Sequence, residues 1–62
     1  MLITVNGSVV ETAAHTILLL LGELPPGHAV AVNDQVVPRS SHGTHVVVEG
    51  DKVDVVQAVA GG

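Results

Sequence analysis

The chain opens on an alternation of period two, which belongs to strands rather than helices. Over residues 1–5, Ile3 and Val5 fall on one face, Leu2 and Thr4 on the other. Asn6-Gly7 follows, a dipeptide suited to a type I′ turn because both central positions need a positive φ. Residues 8–12 return as a second strand. Thr16 is placed to cap a helix, its hydroxyl accepting from an otherwise unpaired backbone N–H. Residues 17–24 predict that helix on length and leucine content, although the unbroken run Ile17-Leu18-Leu19-Leu20-Leu21 blurs the period. Pro25-Pro26-Gly27 stops it.

The second half reads as short strands. Residues 29–32 form a buried strand, Asn33-Asp34 turns the chain, and residues 35–37 form a further strand that Pro38 ends. Residues 39–44 are polar and irregular. Residues 45–48 are a strand or an irregular segment, closed by Glu49-Gly50-Asp51, where Gly50 can supply positive φ. Residues 52–59 make the last and longest strand, with Val53 and Val55 toward the core and Asp54, Val56 and Ala58 on the opposite face. Ala60-Gly61-Gly62 remains as a tail. A helix laid across one face of a mixed sheet covers it economically, with the final strand returning to the middle beside the first. The expected fold is therefore α+β, a ubiquitin-like β-grasp. Residues 1–62 make one domain and residues 59–62 its functional tail.

Composition narrows the chemistry. A chain of 62 residues buries only about 60% of the surface its unfolded form exposes, which leaves little room for a recessed catalytic cleft. Apolar residues make up 47%, yet Phe, Trp and Tyr are all absent, so Val, Leu, Ile and Ala must build the core. The β-branched share of that set favours strands. Two basic residues, Arg39 and Lys52, face six acidic ones for a formal charge of −4. Nucleic-acid binding leaves a basic footprint and stacking aromatics, and neither is present. An acidic surface suits a partner with a basic docking face, or simply keeps a small protein soluble. With no cysteine there is no disulfide framework, thiol nucleophile or zinc–thiolate site. The longest apolar run is far short of the ~18 residues that a membrane span needs, and residues 1–4 lack a charged signal region. These features lead to the expectation of a soluble cytoplasmic protein that neither binds nucleic acid nor enters a membrane.

The closing glycines carry the chemistry. At average glycine usage, two at the very end arise by chance in roughly one chain in two hundred. Without side chains, Gly61 and Gly62 let another protein's backbone approach closely, so the tail can thread a narrow channel. A carboxylate at Gly62 is a poor acyl donor until its oxygen attacks the α-phosphorus of ATP. AMP then becomes a leaving group that a sulfur nucleophile can displace. A frayed chain end is the alternative for Gly61-Gly62 taken alone, and the β-grasp pattern that delivers them off the last strand tips the balance toward a carrier.

Four stretches sharpen this into a resemblance: Ile3-Thr4-Val5-Asn6-Gly7, Ala29-Val30-Ala31-Val32-Asn33 leading to Val36-Val37-Pro38-Arg39, Glu49-Gly50-Asp51-Lys52-Val53, and Val59-Ala60-Gly61-Gly62. In these the chain resembles the thiamine-biosynthesis sulfur carrier family, ThiS, over essentially its full length. The resemblance implies a non-catalytic carrier adenylated at the Gly62 carboxylate by a ThiF-like adenylyltransferase. The carrier itself holds no cofactor, and the partner consumes the ATP. A sulfur donor protein would supply the thiocarboxylate, and a ThiG-like thiazole synthase would receive its sulfur. Ala60 and Gly61 would enter the partner, while Val56 and Ala58 are the expected docking residues on the sheet. The unbroken Ile17-to-Leu21 run departs from the family's mixed helix, so an exposed apolar stripe is expected there, either ordinary surface leucine or an interface.

Other readings stay open at this point. The small subunit of molybdopterin synthase shares the fold and the terminal glycines, though such chains run longer. A non-covalent β-grasp binding module would tolerate residues added after Gly62. A lysine-conjugated modifier would leave an isopeptide-linked ladder on larger proteins. His42 and His45, with His15 and His28 elsewhere, are expected to be structural or solvent-exposed rather than metal ligands, since zinc usually takes three or four converging donors. Arg39 reads as a surface cation after a turn proline, and Glu49 and Asp51 as a solvated turn rather than an acid–base pair.

Overall fold

The computed structural model describes residues 1–57. Five strands form one mixed sheet: β1 (Leu2–Val5), β2 (Ser8–Glu11), β3 (His28–Val32), β4 (Gln35–Val37) and β5 (Lys52–Gln57). Their order is β2-β1-β5-β3-β4, so the last strand lies in the middle, as expected from the sequence. It runs parallel to β1, with Thr4 opposite Lys52 and Val5 opposite Val53. Against β3 it is antiparallel over its whole length, from Val32–Val53 to His28–Gln57.

Each hairpin turns as its residue types require. Asn6 and Gly7 have φ of 51° and 83°, Asn33 and Asp34 φ of 52° and 69°. Left-handed pairs of this kind match the twist of the flanking strands, and asparagine tolerates them far better than branched residues do. Register then sorts the side chains. Ile3 faces Val10, Val30 faces both Val37 and Val55, and Val32 faces Val53, all on the inner face. With Ile17 and Val47 these positions make an aliphatic core, against which Met1, Leu20, Leu21 and Leu24 also pack.

The helix α1 (Ile17–Leu21) is shorter than residues 17–24. Gly22 ends it, at φ 72°, with its N–H donating to the Leu18 carbonyl at 2.8 Å. A glycine leaving the helix in the left-handed region is a sufficient stop by itself. The prolines three residues on do not set the boundary. At the other end every orphan donor is taken: Thr16 Oγ1 accepts from Leu19 N–H at 3.2 Å, and the carbonyls of His45 and His42 accept from Ile17 and Leu18. Those two carbonyls belong to the long segment before β5, which explains its form. A 3-10 helix (Arg39–Ser41) starts it, and a single bridge between Val46 and Thr16 is the only strand-like pairing found among the described residues 42–51. Residues 42–47 of the segment are bound to the helix and its cap, while Glu49, Gly50 and Asp51 bond to β1.

Candidate functional site

Strand β5 is the last described element before the C-terminal glycines, so its anchoring is the geometry that bears on them. Of the expected site residues, Val56 lies on β5, while Ala58, Ala60, Gly61 and Gly62 lie outside the described residues. Inner Val53 is fully buried and Val55 is half-buried against the core. The alternation predicted for this strand is therefore the one observed, and Val56 is 57% exposed on the outer face.

The outer face holds two chemically distinct zones. Toward the C-terminal end of β5, Val56 stands opposite Ala29 and, one step along β3, Ala31 stands opposite Val36, which is 72% exposed. Small alanines between two exposed valines leave a shallow apolar surface. Toward the start of β5, Lys52 Nζ donates to Asp34 at 3.1 Å and approaches Asp54 at 3.7 Å. The hydrogen bond to Asp34, and the charges of Asp34 and Asp54, hold the Lys52 ammonium above its ordinary pKa of 10.5.

Two asparagines clamp β5 from the flanking turns. Asn33 Oδ1 accepts from Lys52 N–H at 3.0 Å, and Asn6 Oδ1 accepts from Val55 N–H at 2.7 Å. Sequence reasoning gave both residues only turn roles. The available signal was an asparagine at the first turn position beside a strand pattern, where its amide can reach a neighbouring strand.

The remaining polar residues are structural. Asp51 is buried, accepting from Asn33 Nδ2 at 3.0 Å and Val48 N–H at 2.9 Å. Glu49 accepts from Leu2 N–H at 2.8 Å. Asp51 is therefore not the solvated carboxylate expected of this turn, whereas Glu49 is exposed as expected, and both tie the segment before β5 to its neighbours. Arg39 is the exposed cation after Pro38 that the sequence led us to expect, and it has a structural use as well. Its guanidinium donates to the carbonyls of Leu24 and Pro25, at 2.6 and 2.9 Å, bracing the helix-to-β3 loop beside an open pocket that it lines together with Leu18 and Leu24. His42 is buried, and Nε2–H donating to the Val37 carbonyl at 3.2 Å fixes its tautomer by the hydrogen-bond network. Among the described residues no three His, Asp or Glu side chains come together as a metal site would require. No helix there is long and apolar enough to cross a membrane.

This architecture is shared. A crystal structure of a thiamine biosynthesis protein (ThiS) from Geobacter metallireducens superposes with a TM-score of 0.86 at 25% identity, over 100% of both chains. The sulfur carrier protein ThiS of Escherichia coli (strain K12) is 36% identical over an alignment of 66 positions, again covering 100% of each chain. The ThiS family model matches residues 3–62, a span that takes in both asparagine clamps, the Asp51 turn and the terminal glycines. The chain belongs to the ThiS family.

Proposed function

We propose that this protein is a sulfur carrier of thiamine biosynthesis whose working group is the carboxylate of Gly62. The observation that carries the reading is the family match, which runs through residue 62 and so includes Gly61 and Gly62. The carrier is not itself a catalyst. An oxygen of the Gly62 carboxylate attacks the α-phosphorus of ATP on a ThiF-like adenylyltransferase, releasing pyrophosphate and leaving an acyl adenylate. A hydrosulfide equivalent released by a donor protein displaces AMP to leave the thiocarboxylate, which then gives its sulfur to a ThiG-like thiazole synthase. The protein needs no bound cofactor for this, and the cytoplasm is its expected place of action. Ala60 and Gly61 thread the partner, while Val56 and Ala58 support docking beside them.

Intact-mass spectrometry after incubation with ATP, a ThiF-like adenylyltransferase and a sulfur source tests the reading. One sulfur gained for one oxygen lost, abolished by deleting Gly62 or extending the chain beyond it, is the expected result. An unchanged mass beside a demonstrably active adenylyltransferase would overturn it in favour of a non-covalent binding module.

A further inference from the structure

The parallel ladder between β1 and β5 stops early, and one side chain continues it. Its rungs advance two residues at a time: Thr4 N–H donates to the Asp51 carbonyl at 3.0 Å, and Asn6 N–H to the Val53 carbonyl at 2.9 Å. The next donor on this edge is Val55 N–H, and the regular acceptor would be the Asn6 backbone carbonyl. Asn6 has already entered the left-handed turn at φ 51°, where the chain leaves the strand direction. Its Oδ1 takes the place of that carbonyl and accepts from Val55 N–H at 2.7 Å, across 49 positions of sequence. Beyond Gln57 five residues remain to Gly62, a reach of at most ~18 Å when fully extended. A strand edge released at Val55 would add to the freedom that must be removed as the Gly62 carboxylate is aligned for attack, at ~1–2 kcal/mol for each backbone residue ordered.

We infer that Asn6 is a positioning residue for the chemistry at Gly62: its side-chain carbonyl fixes the C-terminal half of β5, the strand from which the chain continues to Gly62. The role rests on the carrier reading above and adds a residue to it. Asn6 touches neither ATP nor the reacting carboxylate. It acts through Val55 and the strand.

Two variants separate the turn from the clamp. Asn6→Gly keeps a residue at home at positive φ but removes the acceptor, whereas Asn6→Asp keeps both. Two readouts apply to each: hydrogen exchange at the Val55 amide, and steady-state adenylation of the full chain by a ThiF-like adenylyltransferase with ATP. Loss of one such bond should speed Val55 exchange in Asn6→Gly by ~3- to 10-fold. Loosening of the strand that precedes Gly62 should lower kcat by a similar ~3- to 10-fold with KM nearly unchanged, and Asn6→Asp should restore both. A purely structural role would instead reduce the folded fraction, raising apparent KM while leaving kcat intact. Wild-type adenylation with an Asn6→Gly kcat equal to it, or unaltered Val55 exchange, would overturn the role of Asn6 alone. Failure of the wild-type chain to be adenylated by an active enzyme would overturn the carrier reading, and the positioning role with it.

Discussion

Asn33 and Asp51 meet at 3.0 Å, the amide of a hairpin turn against a carboxylate that is only 7% exposed. The pair ties three elements together at one point. Asn33 gives Nδ2–H to Asp51 and takes the N–H of Lys52, the first residue of β5. Asp51 takes the N–H of Val48 on its second oxygen, closing the turn that precedes the strand. The turn between β3 and β4 and the long segment from β4 to β5 are thus locked to the start of the central strand. A buried carboxylate persists only when such donors surround it.

Removing the carboxylate leaves those donors unpaired, so Asp51→Ala should destabilise the fold by ~1–3 kcal/mol. Urea denaturation is the measurement: the midpoint should fall with the slope unchanged, the signature of lost stability rather than altered compactness. An unchanged midpoint would mean that water replaces both contacts at no cost, and that the turn does not depend on Asp51.

Gly50 occupies the same turn at φ 86°, and a Cβ built there meets nothing within 4 Å. The cost of Gly50→Ala is therefore conformational rather than steric, ~1–2 kcal/mol for holding a side chain in the left-handed region. Gly50→Asn, tolerated in that region, should recover most of it. If alanine and asparagine prove equally costly by thermal unfolding, the penalty lies elsewhere, in the Gly50 N–H bond to the Leu2 carbonyl.

The sheet was legible in the sequence because its signals are local and agree with one another. Alternation set Ile3 and Val5 on one face of the first strand and turned Val53 and Val55 toward the core, and two turns bearing asparagine fixed the hairpins where they occur. The helix end was misread because the double proline is the louder stop, while Gly22 acts first through its backbone conformation. Exposure of the leucine run was foreseen: Ile17 is buried and Leu19 is 69% exposed. The roles of Asp51, Arg39 and Asn6 were not visible. Each depends on a partner far along the chain, at Asn33, Leu24 and Val55, and periodicity carries no record of such distances. The terminal glycines drew attention from sequence position alone, and they lie beyond the described residues.

Alkaline pH isolates one ion pair. Lys52 is the sole lysine, and the chain has no tyrosine and no cysteine, so almost nothing else titrates between about pH 9 and 12. Asp34, with Asp54 in support, raises the folded-state pKa of Lys52 above 10.5. The unfolded chain therefore loses this proton first. The stabilisation is complete below the unfolded value and disappears as pH rises through the folded one. Urea midpoints should be flat from neutral pH to about 10 and decline modestly above it, the pair being well exposed. Lys52→Met should remove the decline. A slope that survives this substitution would assign the alkaline sensitivity to some other group.

The outer face offers a test of docking that leaves the core untouched. Val56 and Val9 are both well exposed on that face, but Val56 sits on β5 near its C-terminal end and Val9 on the far edge strand β2. Valine-to-threonine substitution preserves shape and strand preference while putting a hydroxyl where a methyl stood. A partner that desolvates Val56 must then bury that hydroxyl, at a cost of about 1–3 kcal/mol unless it supplies a bond. Val56→Thr should accordingly raise the KM for the carrier in adenylation by ~10-fold, with kcat and thermal stability nearly unchanged. Val9→Thr should match the wild type throughout. Equal effects at both positions would indicate a general loss of sheet stability, and no effect at either would move the docking surface away from this end of β5. The comparison is decisive because the two substitutions are chemically identical and differ only in their distance from the strand that leads to Gly62.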